Sequence, residues 1–331
     1  MITVLAGGVG AARLLAGMVD VFGNRMDTDV SMRTADSDRA DTALTAIVNV
    51  ADDERIYGLD VSPDLDTVMY TVAGANDDER GWGLRDESWR AMDSLRAYGA
   101  AAGRDDVGWF QLGDVDLGTH LFRTARLADG ATLSEVTSDL TRRWAPGIRL
   151  LPVSDDRLAT RLLTEDGLLR FQEYFVGRRH SVPVTSVSIE GATAARPAPG
   201  VLDAIGGAEV VVIAPSNPIV SIGPLWAVAG VRDAVRVRRE RCVAVSPIVG
   251  GRALKGPADR LMAELGHESS VVGVARLYRD VASVLVVDEV DADRAGEVEA
   301  TGMRCVVAPT VMTDRDAAGR LARTCVDAVR G

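Results

Sequence analysis

The aspartates Asp52, Asp53, Asp64 and Asp66 cluster just after the apolar run ALTAIVNV (43–50). The last two lie in the turn-like stretch VSPDLDT (61–67). Asp114 and Asp116 follow the segment WFQLG. Carboxylates gathered after strands suit Mg²⁺, which takes a few acidic oxygens and completes its shell with water and substrate phosphates. Apolar Leu65 and Val68 bracket Asp66, which makes it the first candidate for chemistry. Asp64 follows Pro63 and equally suits the shaping of a turn. A different chemistry opens the chain. The apolar run Ile2 to Ala6 drives into Gly7-Gly8-Val9-Gly10 and then into a helix-like stretch. Backbone N–H groups at such a strand–helix turn can cradle a phosphate. The dinucleotide fingerprint G-x-G-x-x-G is incomplete, because Arg13 occupies its third glycine position, and the Walker lysine is missing. Two further loops carry polar groups. APSNPIVSIGPL (214–225) offers Ser216 and Asn217, and SPIVGGRALKGPA (246–258) offers Arg252 and Lys255 beside a glycine pair. Each is also readable as an ordinary strand-to-helix connection. Their repetition after successive strands points to one lined crevice.

The elements that must hold these residues alternate. Residues 2–6 read as a buried strand, 11–22 as a helix and 43–50 as a second strand, with 61–67 as a turn. The polar segment Met26 to Asp41 reads as a surface insertion. Helical periodicity marks 86–99, 118–129 and 132–144 within a helical insertion spanning 68–145. A hairpin turning at Asp166-Gly167 is expected within 159–179. Strands are then expected at 208–215, 242–249, 283–290 and 305–312, and helices at 200–206, 224–238, 256–266 and 314–329. The expected fold is a single α/β domain over 1–331, with a Rossmann-like, mostly parallel sheet and a small helical insertion.

Composition narrows the function. Acidic residues outnumber basic ones by 48 to 37, giving a net charge of −11. That sign argues against general nucleic-acid binding. It also means that a phosphorylated substrate must meet local cations or backbone N–H groups. Lys255 is the one lysine, and the other 36 basic residues are arginine. No apolar run reaches the length of a membrane span and no signal peptide is seen. The cysteines Cys242, Cys305 and Cys325 are far apart, as are His120, His180 and His267. Neither a disulfide framework nor a zinc site is expected, and a reducing cytoplasm is.

The segments LAGGVGAARLLAG, AIVNVADDERIYGLDVSPDLDTVMYT, RGWGLRDESW, WFQLGDVDLGTH, LLPVSDD, FQEYFVGRR, APSNPIVSIGPL, SPIVGGRALKGPA and VMTD follow one another along nearly the whole chain. In this order they resemble the CofD/FbiA family, the 2-phospholactate or phosphoenolpyruvate transferases of coenzyme F-420 biosynthesis. The polar stretch before the second strand resembles the actinobacterial branch. The resemblance implies a guanosine diphosphate diester of lactate or enolpyruvate as donor and the deazaflavin Fo as acceptor. The terminal ribityl hydroxyl attacks the phosphorus bearing the three-carbon acid, and GMP leaves. It further implies a Mg²⁺ requirement and a homodimer. Carried over, Asp66 serves the deazaflavin and metal site and Gln111 serves the deazaflavin. Gly7, Gly8 and Gly10 face the donor phosphates, and Ser216 and Asn217 lie on the guanosine side. Val115 stands where relatives usually have arginine, and Gly118 where they have alanine. Another arginine, Arg13 or Arg252, must then hold that phosphate.

Together these readings give Mg²⁺ held by Asp66 with Asp52 and Asp53, and Asp66 or Asp53 as proton acceptor. The glycine loop, with Arg252 or Lys255, would stabilise charge on the departing GMP. With no GxSxG motif, direct transfer is expected rather than a covalent intermediate. Trp82, Trp89 and Trp109 are candidates for stacking on the deazaflavin, or for a helical core. Two other functions compete. One is a regulatory protein of the YvcK type, which shares the fold and binds nucleotide sugars. The other is a nicotinamide-dependent oxidoreductase, against which Arg13 and the lack of an acidic residue closing the second strand both argue.

Overall fold

The computed structural model describes residues 1–23, 43–104, 106–144 and 147–330. The expected polar insertion at 26–41 lies outside these residues. Among the described residues, the main sheet has β1 (Ile2–Ala6), β2 (Leu44–Val48), β3 (Arg149–Pro152) and β4 (Val210–Ile213). It is completed by β5 (Cys242–Val245), β6 (Val284–Val287) and β7 (Arg304–Val307). Their spatial order is β7-β6-β5-β4-β1-β2-β3. Every neighbouring pair is parallel. Ile2 sits opposite both Leu44 and Val210, so the first strand lies at the centre. Strands β1, β2, β4, β5 and β6 are buried at every residue. This is why they read as continuous apolar runs rather than alternating ones: helices cover both faces of a parallel sheet. The chain winds outward from β1 to β3, then returns to β4 and winds the other way. The crevice between β1 and β4 is therefore the topological switch point, where open α/β sheets bind ligands.

Helix α1 (Gly8–Phe22) begins inside the glycine turn. It crosses the last helix of the described chain, Arg315–Arg330, at Gly17. A Cβ there would lie 2.3 Å from the Ala318 carbonyl carbon, so only glycine permits the approach. Helix α2 (Pro63–Val72) replaces the turn expected over 61–67. Proline at the first helical position needs no N–H partner, which lets Pro63 start a helix rather than a turn. Leu65, Val68, Met69 and Val72 then give α2 an apolar face, and all four are buried. Helices α3 (Arg90–Ala101), α4 (Asp114–Ala128) and α5 (Leu133–Trp144) follow the helical periodicity. The hairpin at 166–167 forms as expected from Ala159–Thr164 and Gly167–Arg170. Val184–Glu190 adds an unexpected third antiparallel strand. It escapes the sequence because only Val184 is buried in its polar run. The expected strand 242–249 divides into β5 and a two-residue piece, Ile248–Val249, paired with Arg252–Ala253. No described helix is long and apolar enough to cross a membrane.

Candidate active site

The connections leaving β1, β2, β4, β5 and β7 surround one cavity of about 740 Å³. The first wall is the glycine turn. Gly8 has φ +74°, a left-handed conformation that glycine adopts without strain. At Gly10 a Cβ would fall 2.2 Å from the carbonyl oxygen of Pro215, and at Gly7 it would fall 2.9 Å from Asp64 Oδ2. The turn is thus clasped between the loop after β4 and the start of α2. Its glycines are required by close approach as much as by any phosphate.

The second wall is acidic. Asn49, fully buried directly after β2, donates through Nδ2 to Asp52 Oδ2 and to Asp64 Oδ2, each at 3.0 Å. The Gly8 N–H donates to Asp64 Oδ1 at 2.9 Å. Asp52 Oδ1 is buried without a hydrogen-bond partner. Burial pushes the Asp64 carboxyl up to about 6. Burial, and then the Asp64 charge, raise Asp52 well above the usual carboxylate range. Two carboxylates facing one cavity, one with an orphaned oxygen and neither with a cation beside it, fit a divalent ion that keeps water and substrate ligands.

The three carboxylates expected to hold the metal meet different partners: Asp52 meets Asn49, Asp53 meets Ser62 and Asp66 meets Arg123. Among the described residues no group of three or more acidic, histidine or cysteine side chains is placed to hold a metal ion. The Asp66 carboxylate lines the cavity but is engaged by the buried guanidinium of Arg123: Nη2 meets Oδ1, and Nη1 meets Oδ2 at 3.1 Å. His120 Nδ1 lies 3.2 Å from Arg123 Nη1, which can only donate, so Nδ1 accepts. His120 Nε2 lies 3.1 Å from Asp116 Oδ2, and Tyr70 donates its hydroxyl to Asp116 Oδ1 at 2.6 Å. Burial opposes the charge of Asp116, yet His120 and Tyr70 hold its carboxyl below the ordinary value. Asp53 does not line the cavity; its Oδ2 accepts from Ser62 at 2.6 Å. Burial raises Asp53 well above the usual range.

The remaining predicted residues divide. Gly7, Gly8, Gly10, Gln111, Ser216, Asn217 and Lys255 line the cavity, whereas Arg252 is exposed on the small hairpin and does not. Of the two arginines expected to replace the one missing at Val115, only Arg13 reaches the cavity. Asn217 turns its Oδ1 back to accept from Ile219 N–H at 2.9 Å, so it shapes its own loop. Gln111 is held at both ends of its amide, by Arg96 and by the Gly108 carbonyl. Ser216 Oγ is buried without a partner. Trp82 lines the cavity and is 42% exposed; Trp89 and Trp109 do not line it. The aromatic wall comes instead from Phe110 and from Phe171 and Phe175, whose rings stack at 5.4 Å. Asn49, Arg123 and His120 were not singled out as site residues by sequence. Asn49 sat at the end of an apolar strand run, a position where polar residues meet ligands in this topology.

The strand order, the glycine turn and a cavity at the switch point define a Rossmann-like α/β protein. A family model described as 2-phospho-L-lactate transferase CofD matches residues 2–323, and the chain belongs to that family. A phosphoenolpyruvate transferase of Streptomyces griseus is 45% identical, the alignment covering 98% of this chain and 97% of that protein. One of Mycobacterium avium is 44% identical, over 95% and 94% of the two chains. Among solved structures, protein BH3568 from Bacillus halodurans matches with a TM-score of 0.59 at 17% identity, covering 100% of this chain and 99% of that one. A second structure of that protein, described as a member of the upf0052 family, gives 0.58 at 15% identity, covering 98% of each chain. At these identities the two structures support the fold alone.

Proposed function

We propose that this chain transfers a phosphoenolpyruvyl or phospholactyl group from a guanosine diphosphate diester to the ribityl hydroxyl of the deazaflavin Fo, with GMP as the leaving group. The observation that carries this reading is the shared cavity. A glycine turn at a helix N-terminus, a two-carboxylate wall and an aromatic wall all face it. Family membership and the names of the relatives supply the reaction class. Phosphoryl transfer asks mainly for alignment and charge neutralisation, which these walls can provide without a covalent intermediate.

In this mechanism the hydroxyl oxygen of Fo forms a bond to the phosphorus carrying the three-carbon acid, and the bond from that phosphorus to the GMP oxygen breaks. Backbone N–H groups of the glycine turn meet the diphosphate. The ionised carboxylate of Asp64, which burial makes a stronger base than a free aspartate, takes the hydroxyl proton. Asp52 and Asp64 would hold Mg²⁺, which would supply neutralisation of the diphosphate. Phe171 and Phe175 offer a flat apolar surface for the ring system. Asp66, clamped by Arg123, braces the start of α2 and so positions Asp64.

The test is turnover of Fo with each guanosine diphosphate diester, followed by product mass. Asp52→Asn and Asp64→Asn should lose roughly a hundredfold or more in rate while remaining folded. No product from either donor at any Mg²⁺ concentration would reject the assignment in favour of a nucleotide-binding regulator.

A further inference from the structure

Two cations line the same cavity as the acidic wall. Arg13 projects from α1 one turn beyond Gly10, and Lys255 comes from the loop after β5; both line the cavity. Among the described residues neither has a carboxylate within ion-pair distance. Among the described residues the Arg13 guanidinium makes a long contact, from Nη1 to the Met312 carbonyl at 3.4 Å. Other described arginines, among them Arg123, Arg232 and Arg315, have acidic partners. The Lys255 ammonium lies against Gly81, where an added Cβ would stand 2.8 Å from Nζ. Gly81, Arg80 and Trp82 come from the helical part of the chain and also line the cavity. The Lys255 tip therefore spans the gap between two separate loops. Burial, and then the neighbouring Arg13, hold its ammonium below the ordinary value. Asp78 only partly offsets the repulsion between the two cations, and no described carboxylate is in ion-pair contact with either, so an anion reaching both would relieve it.

We infer that Arg13 and Lys255 form a two-cation clamp for an anionic oxygen group of the donor, either the carboxylate of its three-carbon acid or its diphosphate. The inference rests on the donor proposed above. A carboxylate here would let the site choose the three-carbon donor over free guanosine nucleotides, since a cation pair left unpaired penalises a ligand that lacks the group.

The experiment is calorimetric titration of three probes into the wild type, Lys255→Met, Arg13→Met and Lys255→Arg at fixed ionic strength. The probes are inorganic pyrophosphate, GDP and the guanosine diphosphate diester of enolpyruvate. The clamp requires the diester to bind the two methionine variants roughly tenfold or more weakly, with Lys255→Arg recovering most of the loss. If GDP weakens equally, the clamped group is the diphosphate; if GDP is unchanged, it is the carboxylate. Unaltered affinity of all three probes for Lys255→Met overturns the clamp, whatever the donor. If the wild type binds pyrophosphate more tightly than Lys255→Met does but ignores the diester, the clamp stands and the proposed donor falls.

Discussion

Asp52 and Asp64 share one amide donor, and the orphaned Oδ1 of Asp52 leaves the pair short of positive charge. Because burial raises the folded Asp64 carboxyl to about 6, against about 3.9 for a free aspartate, the folded state holds that proton more tightly than the unfolded one. The associated stability is present below about pH 4 and is lost as pH rises through about 6. In the presence of chelator, the melting temperature of Asp64→Asn should therefore gain on that of the wild type between these values. Adding Mg²⁺ should restore the wild type on the alkaline side. Equal pH profiles for the two proteins would contradict the buried, unpaired pair. Arg123 makes a separate case. Removing it leaves Asp66 charged and buried, so Arg123→Met should cost about 3–5 kcal/mol in urea unfolding. Combining it with Asp66→Leu should recover much of that loss, because replacing both partners by apolar groups removes the uncompensated charge.

At the scale of elements, the decisive contact lies between the glycine turn and the loop after β4. Gly10→Ala would drive a Cβ into the Pro215 carbonyl, a backbone atom that cannot rotate away. It should cost about 1–3 kcal/mol and weaken GDP binding together with stability. Gly118 in α4 is the counter-example: nothing lies within 4 Å of its added Cβ. Gly118→Ala should stabilise the protein by about 0.5–1 kcal/mol. Denaturant midpoints of the two variants should move in opposite directions. The glycine pattern in the sequence cannot separate these cases, because the difference is set by a loop 205 residues away from Gly10. The same holds for α2. Pro63 suits either a turn or a helix start, and the apolar face of α2 gains its value only once α1 lies against it.

For the whole molecule, the sheet buries its centre so completely that chemistry is confined to the strand tips. Cys242 and Cys325 lie in this core, and burial pushes the Cys325 thiol up to about 12. Cys305, on the edge strand β7, is half-buried. In the native state a thiol reagent should label no more than Cys305, and full labelling of all three should track global unfolding. Rapid native labelling of Cys242 or Cys325 would show that the core opens locally.

The apolar runs and the glycine turn were enough to determine a parallel α/β protein, because a strand buried on both faces reads as one continuous apolar run. The motif order likewise carried the family, and Gly7, Gly8 and Gly10 line the cavity. Only the tertiary structure decided which carboxylates meet. Asp64 and Asp66 are two residues apart on the first turn of one helix, so they point in different directions: one reaches Asn49 and the glycine turn, the other Arg123. Asn49 and Arg123 belong to elements distant in sequence, and no local pattern encodes a partner supplied by a different part of the fold.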